Sequence, residues 1–434
     1  MSRTDRPPRN GPLQQFRTLA ELTFTPHRAL LNQYRRYGPV SVLRNGRSRY
    51  VFLLGPDAND FVLSNSDLFS WHESFESLIV INGATALLVS DGADHRRRRQ
   101  VLVPKFTQRI VDGYTESIRA AADTVIDGWR RGQRLDLSRE LRSMVRRSTI
   151  AVLFGPRLAA EEARLGALVD EVLVVVDRAE PLQSLQRKGL PSWRRAVRSR
   201  AAVARRVAEE VAHRLRTGAP DDGDDVLSLL LAHRTPAGAA LTDTEIVDQV
   251  ISVTAASYVT SSAAMTWTAL ALLATPEEWR RCRDSIPGPG WRYLDGTVSE
   301  ALRLHPPVAL LPRAVVSGFE YGGLRVHAGD EVLISPFVTH RIGEVFPDPE
   351  RFDPQRWDPH RPDHRKPGRH EYFPFGGGPH RCLGAGFALA ELTVLAEQLL
   401  RRTTLRLDEV DATPVGLADM QPRSGPHVTV LSVD

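Results

Sequence analysis

The stretch Phe375-Gly-Gly-Gly-Pro-His-Arg-Cys-Leu-Gly384 leaves this chain little freedom, because it sets one cysteine, Cys382, at the mouth of the apolar segment Ala385 to Leu400. That segment reads as a helix. A helix dipole and the open amides of a first turn favour negative charge, so a thiolate is stabilised there. Gly376, Gly377, Gly378 and Gly384 let a tight backbone pass close to a large flat object and aim amides at the sulfur. A thiolate held in this way is a soft, strongly donating metal ligand. On these features alone, a buried free cysteine in a glycine-rich turn is the competing reading. A phosphate-binding loop is excluded, since no Gly-Lys-Ser/Thr follows the glycines.

Fixed offsets decide between the two. Phe375, Gly378, His380, Cys382 and Gly384 stand in a pattern that resembles the cysteine-ligand loop of the cytochrome P450 family. The resemblance implies haem b with its iron ligated by Cys382. It extends upstream. Glu300 and Arg303 lie three apart on one helix and so face the same way, and Arg356 follows on a proline-set stretch. They match the family's buried ion network that supports the cysteine loop. His95 and Arg99, spaced by four, resemble the pair that binds the haem propionates, with Arg313 and His380 as two further contacts. Arg96, Arg97 and Arg98 are expected to be exposed and to steer an acidic electron donor. Along Ala255-Ala-Ser-Tyr-Val-Thr260, Thr260 matches the family's oxygen-site threonine. Ser257 stands where Gly is usual, and Val259 where Asp or Glu is usual. The usual proton relay is therefore altered, and Ser257, Ser261, Ser262 or ordered water would have to substitute.

Composition bounds the rest. In 434 residues, 42% hydrophobic, there are only two cysteines, a hundred positions apart, so neither a zinc spacing nor a disulfide framework exists. That fits a reducing cytoplasm. Cys282, between Arg281 and Arg283, is expected on an exposed helix. No run of 18 or more uncharged apolar residues occurs, so no membrane span is expected. The formal charge of +5 is spread along the chain and interleaved with acids, which argues for a solvated surface rather than nucleic-acid binding.

Residues 1–15 read as a disordered tail and 16–434 as a single domain. Asn45-Gly46 between alternating stretches signals a hairpin. Helical spacing marks 27–37, 56–64, 92–103, 110–131, 137–154, 161–176, 192–216, 226–233, 242–274, 292–304 and 385–402. Thr242 and Glu245 form a capping box on the longest of these. Residues 71–88 read as a long, partly irregular loop, and 180–190 and 218–225 as connectors, the second an acidic turn. Short strands are expected in 318–336 and at 404–407 and 427–433. The chain is thus mainly α with a minor β lobe, and the resemblance implies the family's triangular helical prism around a buried haem.

The implied function is a monomeric haem-thiolate monooxygenase of secondary metabolism. It would insert one atom of O₂ into a medium-sized apolar substrate, using electrons from a ferredoxin and its NAD(P)H-dependent reductase, since no flavin or iron–sulfur motif is present. The altered relay keeps a second reading open: peroxide-driven chemistry, or rearrangement or desaturation without net oxygen insertion. A haem sensor or carrier without turnover is a third.

Overall fold

The computed structural model describes residues 12–46, 48–173, 190–217, 225–232, 241–287, 290–408 and 410–434. The connector at 180–190 falls outside them but for its last residue, and that at 218–225 likewise. The chain gathers into two compact units. One comprises Met1–Ser74, Ala263–Cys382 and Leu405–Thr429, the other Phe75–Ser262, Leu383–Thr404 and Val430–Asp434.

The first unit holds the larger sheet. Val40–Asn45 and Ser48–Leu53 pair antiparallel from Asn45↔Ser48, the hairpin that Asn-Gly predicts, with Gly46 at φ 57°. Ser48–Leu53 then runs parallel to Glu331–Ile334, which pairs with Leu311–Val315, and Phe69–Ser70 closes the edge through Ser70↔Ala314. Val51, Leu53, Val62, Leu311, Val332 and Ile334 form its core. Arg313 is therefore carried on a central strand, one residue from the pairing that leads into Trp71. Tyr293–Leu304 presents Glu300 and Arg303 inward, both 0% exposed. Pro306 and Pro307 follow the end of that helix, since proline cannot continue it.

The second unit is mainly helical. Gly92–Leu102, Leu137–Phe154 and Pro191–Thr217 appear close to their expected bounds. The segment read as one helix over 110–131 is two, Gln108–Gly113 and Thr115–Ile126. The partly irregular stretch 71–88 contains short helical turns: Trp71–Ser74, in the first unit, and Glu76–Leu78 and Ile79–Asn82, in the second. Of the expected tail, residues 1–11 lie outside the described residues, and a helix starts at Pro12.

Asp243–Leu273 is the longest helix. Its capping box is present: Glu245 N–H donates to Thr242 Oγ1 (3.2 Å), and Thr242 N–H to Glu245 Oε2 (3.1 Å). Ala385–Arg402, with its lead-in from Gly378, is long and apolar enough to cross a membrane by length and composition. Its Phe387, Leu392, Leu395 and Leu399 are buried in protein, as in a core helix.

Candidate functional site

The cysteine loop belongs to the first unit. Gly378 has φ 65°, and a Cβ there would sit 2.7 Å from the Leu63 carbonyl oxygen, so no other residue fits without moving backbone. Cys382 N–H donates to Phe375 O (2.9 Å) and Gly376 N–H to Phe373 O (2.9 Å), which turns the chain back on itself. Cys382 is exposed while Cys282 is fully buried. This corrects the expectation for Cys282. Arg281 and Arg283 do face solvent, but Cys282 turns inward with Trp279, three residues before it. Its thiol lies 3.3 Å from Thr297 Oγ1, and burial pushes its pKa up to about 12. Only Cys382 can offer a thiolate to a ligand.

Two of the four expected propionate cations meet in this unit. Arg313 lies over the Trp71 ring at 4.1 Å, and His380 stacks on Trp71 at 4.5 Å and 5°. Trp71 thus holds a guanidinium and an imidazole in register, a role the sequence did not reveal. An accessible thiol in a glycine turn, with cations suited to two carboxylates, fits the haem that the loop implies. His95 and Arg99 are on one face of Gly92–Leu102, in the second unit; His95 is buried and Arg99 partly so.

The Arg96–Arg98 expectation is corrected. Arg98 is 8% exposed and donates to Ser90 Oγ (2.6 Å), and Arg97 is ion-paired with Glu245. Three residues after buried His95, Arg98 has to turn inward with it. Hydrogen bonds from Arg97 and the Thr242 amide, with the Arg97 and Arg98 charges, hold Glu245 down to about 2 against its desolvation. Of the three arginines only Arg96 is exposed.

The ion network is complete. Arg303 has five N–H donors. Nε donates to Glu300 Oε2 (2.8 Å), and Nη2 to Glu300 Oε1 (2.8 Å) and Arg351 O (3.1 Å). Nη1 donates to His340 O (2.8 Å) and Pro349 O (2.7 Å). Glu300 also accepts from Asp353 N–H (3.0 Å) and Trp357 Nε1–H (2.9 Å), and Arg356 Nε stands 3.5 Å away. Glu300, Arg303 and Arg356 are together, as the motif predicts.

The altered relay has an unforeseen neighbour. Within the second unit Ser148 donates to Glu391 Oε1, and the Ser261 and Thr149 hydroxyls lie near enough to favour the charged form of this carboxyl. Thr149 Oγ1 lies 3.5 Å from Ser257 Oγ. Glu391 is 0% exposed, its Oε2 has no hydrogen-bond partner among the described residues, and desolvation raises its pKa to about 7 despite the hydroxyls. An acid among Phe387, Leu395 and other core residues was the signal available in the sequence. Ser262 bonds back to Tyr258 O (2.6 Å) and Thr260 to Ala256 O (2.7 Å), as helix hydroxyls do.

The sign of the Glu391 shift gives a stability prediction. Between its ordinary 4.5 and about 7 the folded state keeps a proton that the unfolded state has lost. Stability therefore falls as pH rises through that window, by on the order of 3 kcal/mol in all. Glu391→Gln should flatten this slope in urea unfolding measured between about pH 4.5 and about pH 8. A parental slope retained in the variant would place the titration elsewhere.

The sequence model of the cytochrome P450 family matches residues 5–420. The protein named cytochrome P450 139 of Mycobacterium tuberculosis is 41% identical over 392 residues, covering 87% of this chain and 91% of its own. Cyclooctat-9-en-7-ol 5-monooxygenase of Streptomyces melanosporofaciens is 30% identical, over 85% and 83% of the two chains. Among solved structures, cyanobacterial CYP120A1 with bound retinoic acid superposes with a TM-score of 0.81 at 24% identity, over 93% of each chain. That likeness bears on the fold alone. The chain belongs to the cytochrome P450 family. It is an oxidoreductase with cysteine-ligated haem b.

Proposed function

We propose that this P450, as one domain over residues 16–434, inserts one atom of O₂ into a medium-sized apolar molecule, with electrons from an external ferredoxin and its NAD(P)H-dependent reductase. One observation carries the substrate class. From Asp248 to Leu270 the long helix is buried except at Val253, Ala256, Ser257, Val259 and Thr260. These residues leave a short opening in an otherwise covered helix, apolar apart from two hydroxyls, suited to a ligand with few polar groups. The relative named for cyclooctat-9-en-7-ol supports the same class. The external donor is supported by cysteine number: with Cys382 on the iron, one buried cysteine remains, too few for an iron–sulfur cluster.

Bound haem supplies the oxygen chemistry; the chain supplies protons and position. Glu391 stores a proton near neutral pH. Thr149, whose hydroxyl lies near that carboxyl and 3.5 Å from Ser257 Oγ, would pass it by way of a water to Ser257, one helical turn before Thr260. Ser257 then does by hydroxyl what Val259, apolar, cannot do. Proton transfer needs only hydrogen-bond reach, directly or through one water.

Thr260→Ala should raise hydrogen peroxide released per product formed in a ferredoxin-supported assay. The check is the coupling ratio, product per NAD(P)H consumed. An unaltered ratio would make Thr260 a structural residue whose hydroxyl only bonds to Ala256. Equal product yield from peroxide without any donor would favour the peroxide-driven reading that Val259 raised.

A further inference from the structure

His340 lies at the point where two supports of the cysteine loop meet, and no motif marked it. It is 0% exposed. Its Nδ1 stands 3.1 Å from Arg303 O. A carbonyl can only accept, so Nδ1 carries the hydrogen. That bond also satisfies one of the last carbonyls of the Tyr293–Leu304 helix, which have no partner within the helix. Nε2 is then a bare acceptor, and the Phe373 amide donates to it at 3.0 Å. In return Arg303 Nη1 donates to His340 O at 2.8 Å. Burial and the Arg303 and Arg341 charges lower the His340 pKa well below its usual value, which keeps the ring neutral and this tautomer in place.

From Phe373 the connection runs straight into the ligand turn. Phe373 O accepts from Gly376, and Phe375 O accepts from Cys382. The aromatic rings of Phe346 (6.0 Å, 77°) and Phe373 (5.6 Å, 82°) pack edge-on around the imidazole and fix its plane. A charged network of fixed geometry on one side and a glycine turn of soft geometry on the other are thus joined through one ring.

We propose that His340 is a positioning residue that couples the Glu300–Arg303 network to the cysteine loop, holding the Phe373 amide and through it the placement of Cys382. The inference rests on Cys382 as the iron ligand. The test uses the full-length holoprotein with H340F, H340N and H340Q. H340F keeps a planar ring and removes both nitrogens; the amide variants keep a donor and an acceptor and lose the ring. The readout is the ferrous–carbon monoxide spectrum, as the ratio of the red-shifted thiolate band to the band of protein whose thiolate is protonated or displaced.

H340F should lower that ratio about tenfold, the shift expected when a buried amide loses its acceptor. At least one of H340N and H340Q should hold the ratio above that of H340F. If both amide variants do no better than H340F, or if neither retains haem when H340F does, packing rather than hydrogen bonding is what His340 supplies and the proposal falls. A parental ratio in H340F overturns it equally. Failure of the ligand reading itself looks different: Cys382→Ser would then keep the thiolate band while the His340 variants stayed unchanged.

Discussion

Cys382→Ser is expected to abolish the red-shifted Soret band of the ferrous–carbon monoxide complex and to end turnover, while Cys282→Ser leaves the band in place. The band reports a thiolate donating to iron. A serine hydroxyl is a harder and much weaker donor that does not ionise near neutral pH, so the electronic effect goes even where haem stays bound. Cys282 cannot take over, since it is fully buried beside Thr297 with its pKa pushed up to about 12. A serine at 282 can still bond to Thr297, and the smaller side chain should cost about 1 kcal/mol, the usual scale for a point substitution. A thiolate-type band surviving in Cys382→Ser would remove the central claim about this protein.

What the sequence disclosed and what it hid follow a physical division. The cysteine loop, the Glu300–Arg303 pair and the Asn45-Gly46 hairpin are local: their chemistry is set by residues within a turn or two of one another. Residues joined by pairing across the chain were not visible. Trp71 meets Arg313 because Phe69–Ser70 pairs with Leu311–Val315, and nothing near Trp71 in the sequence announces that. Glu391 finds Ser148 only through helix packing, 243 positions away along the chain.

The corrections at Arg98 and Cys282 have a different origin. Arg98 and Cys282 each stand beside arginines more exposed than themselves, but adjacent residues on a helix point about 100° apart. The residues three positions away, His95 and Trp279, are buried and indicate the true direction in both cases. Cys282 between two arginines and Arg98 within a run of four thus follow one rule: on a helix the residue three positions away, not the adjacent one, shares the direction.

Breaking the Glu300–Arg303 pair is expected to cost the protein its haem-binding fold. Arg303→Ala leaves a fully buried carboxylate with only the Asp353 amide, the Trp357 indole and Arg356 at 3.5 Å to face it, at about 3–5 kcal/mol. Whole domains are stable by only about 5–15 kcal/mol, so soluble holoprotein should fall steeply. Many buried ion pairs can be replaced by apolar residues at little cost, because their attraction barely offsets desolvation. This one should not behave so. The Arg303 guanidinium also satisfies the carbonyls of His340, Pro349 and Arg351, and Glu300 satisfies Asp353 N–H and the Trp357 indole. An apolar pair, Glu300→Leu with Arg303→Met, removes both charges and strands all five of those groups. Each buried unsatisfied group costs about 1–3 kcal/mol. The double variant should therefore remain unable to hold haem, or bind it with a midpoint of urea unfolding far below that of the parent. Recovery of parental stability in the double variant would mean that water or a shifted backbone satisfies those groups, and that Arg303 is no more than half of a replaceable ion pair.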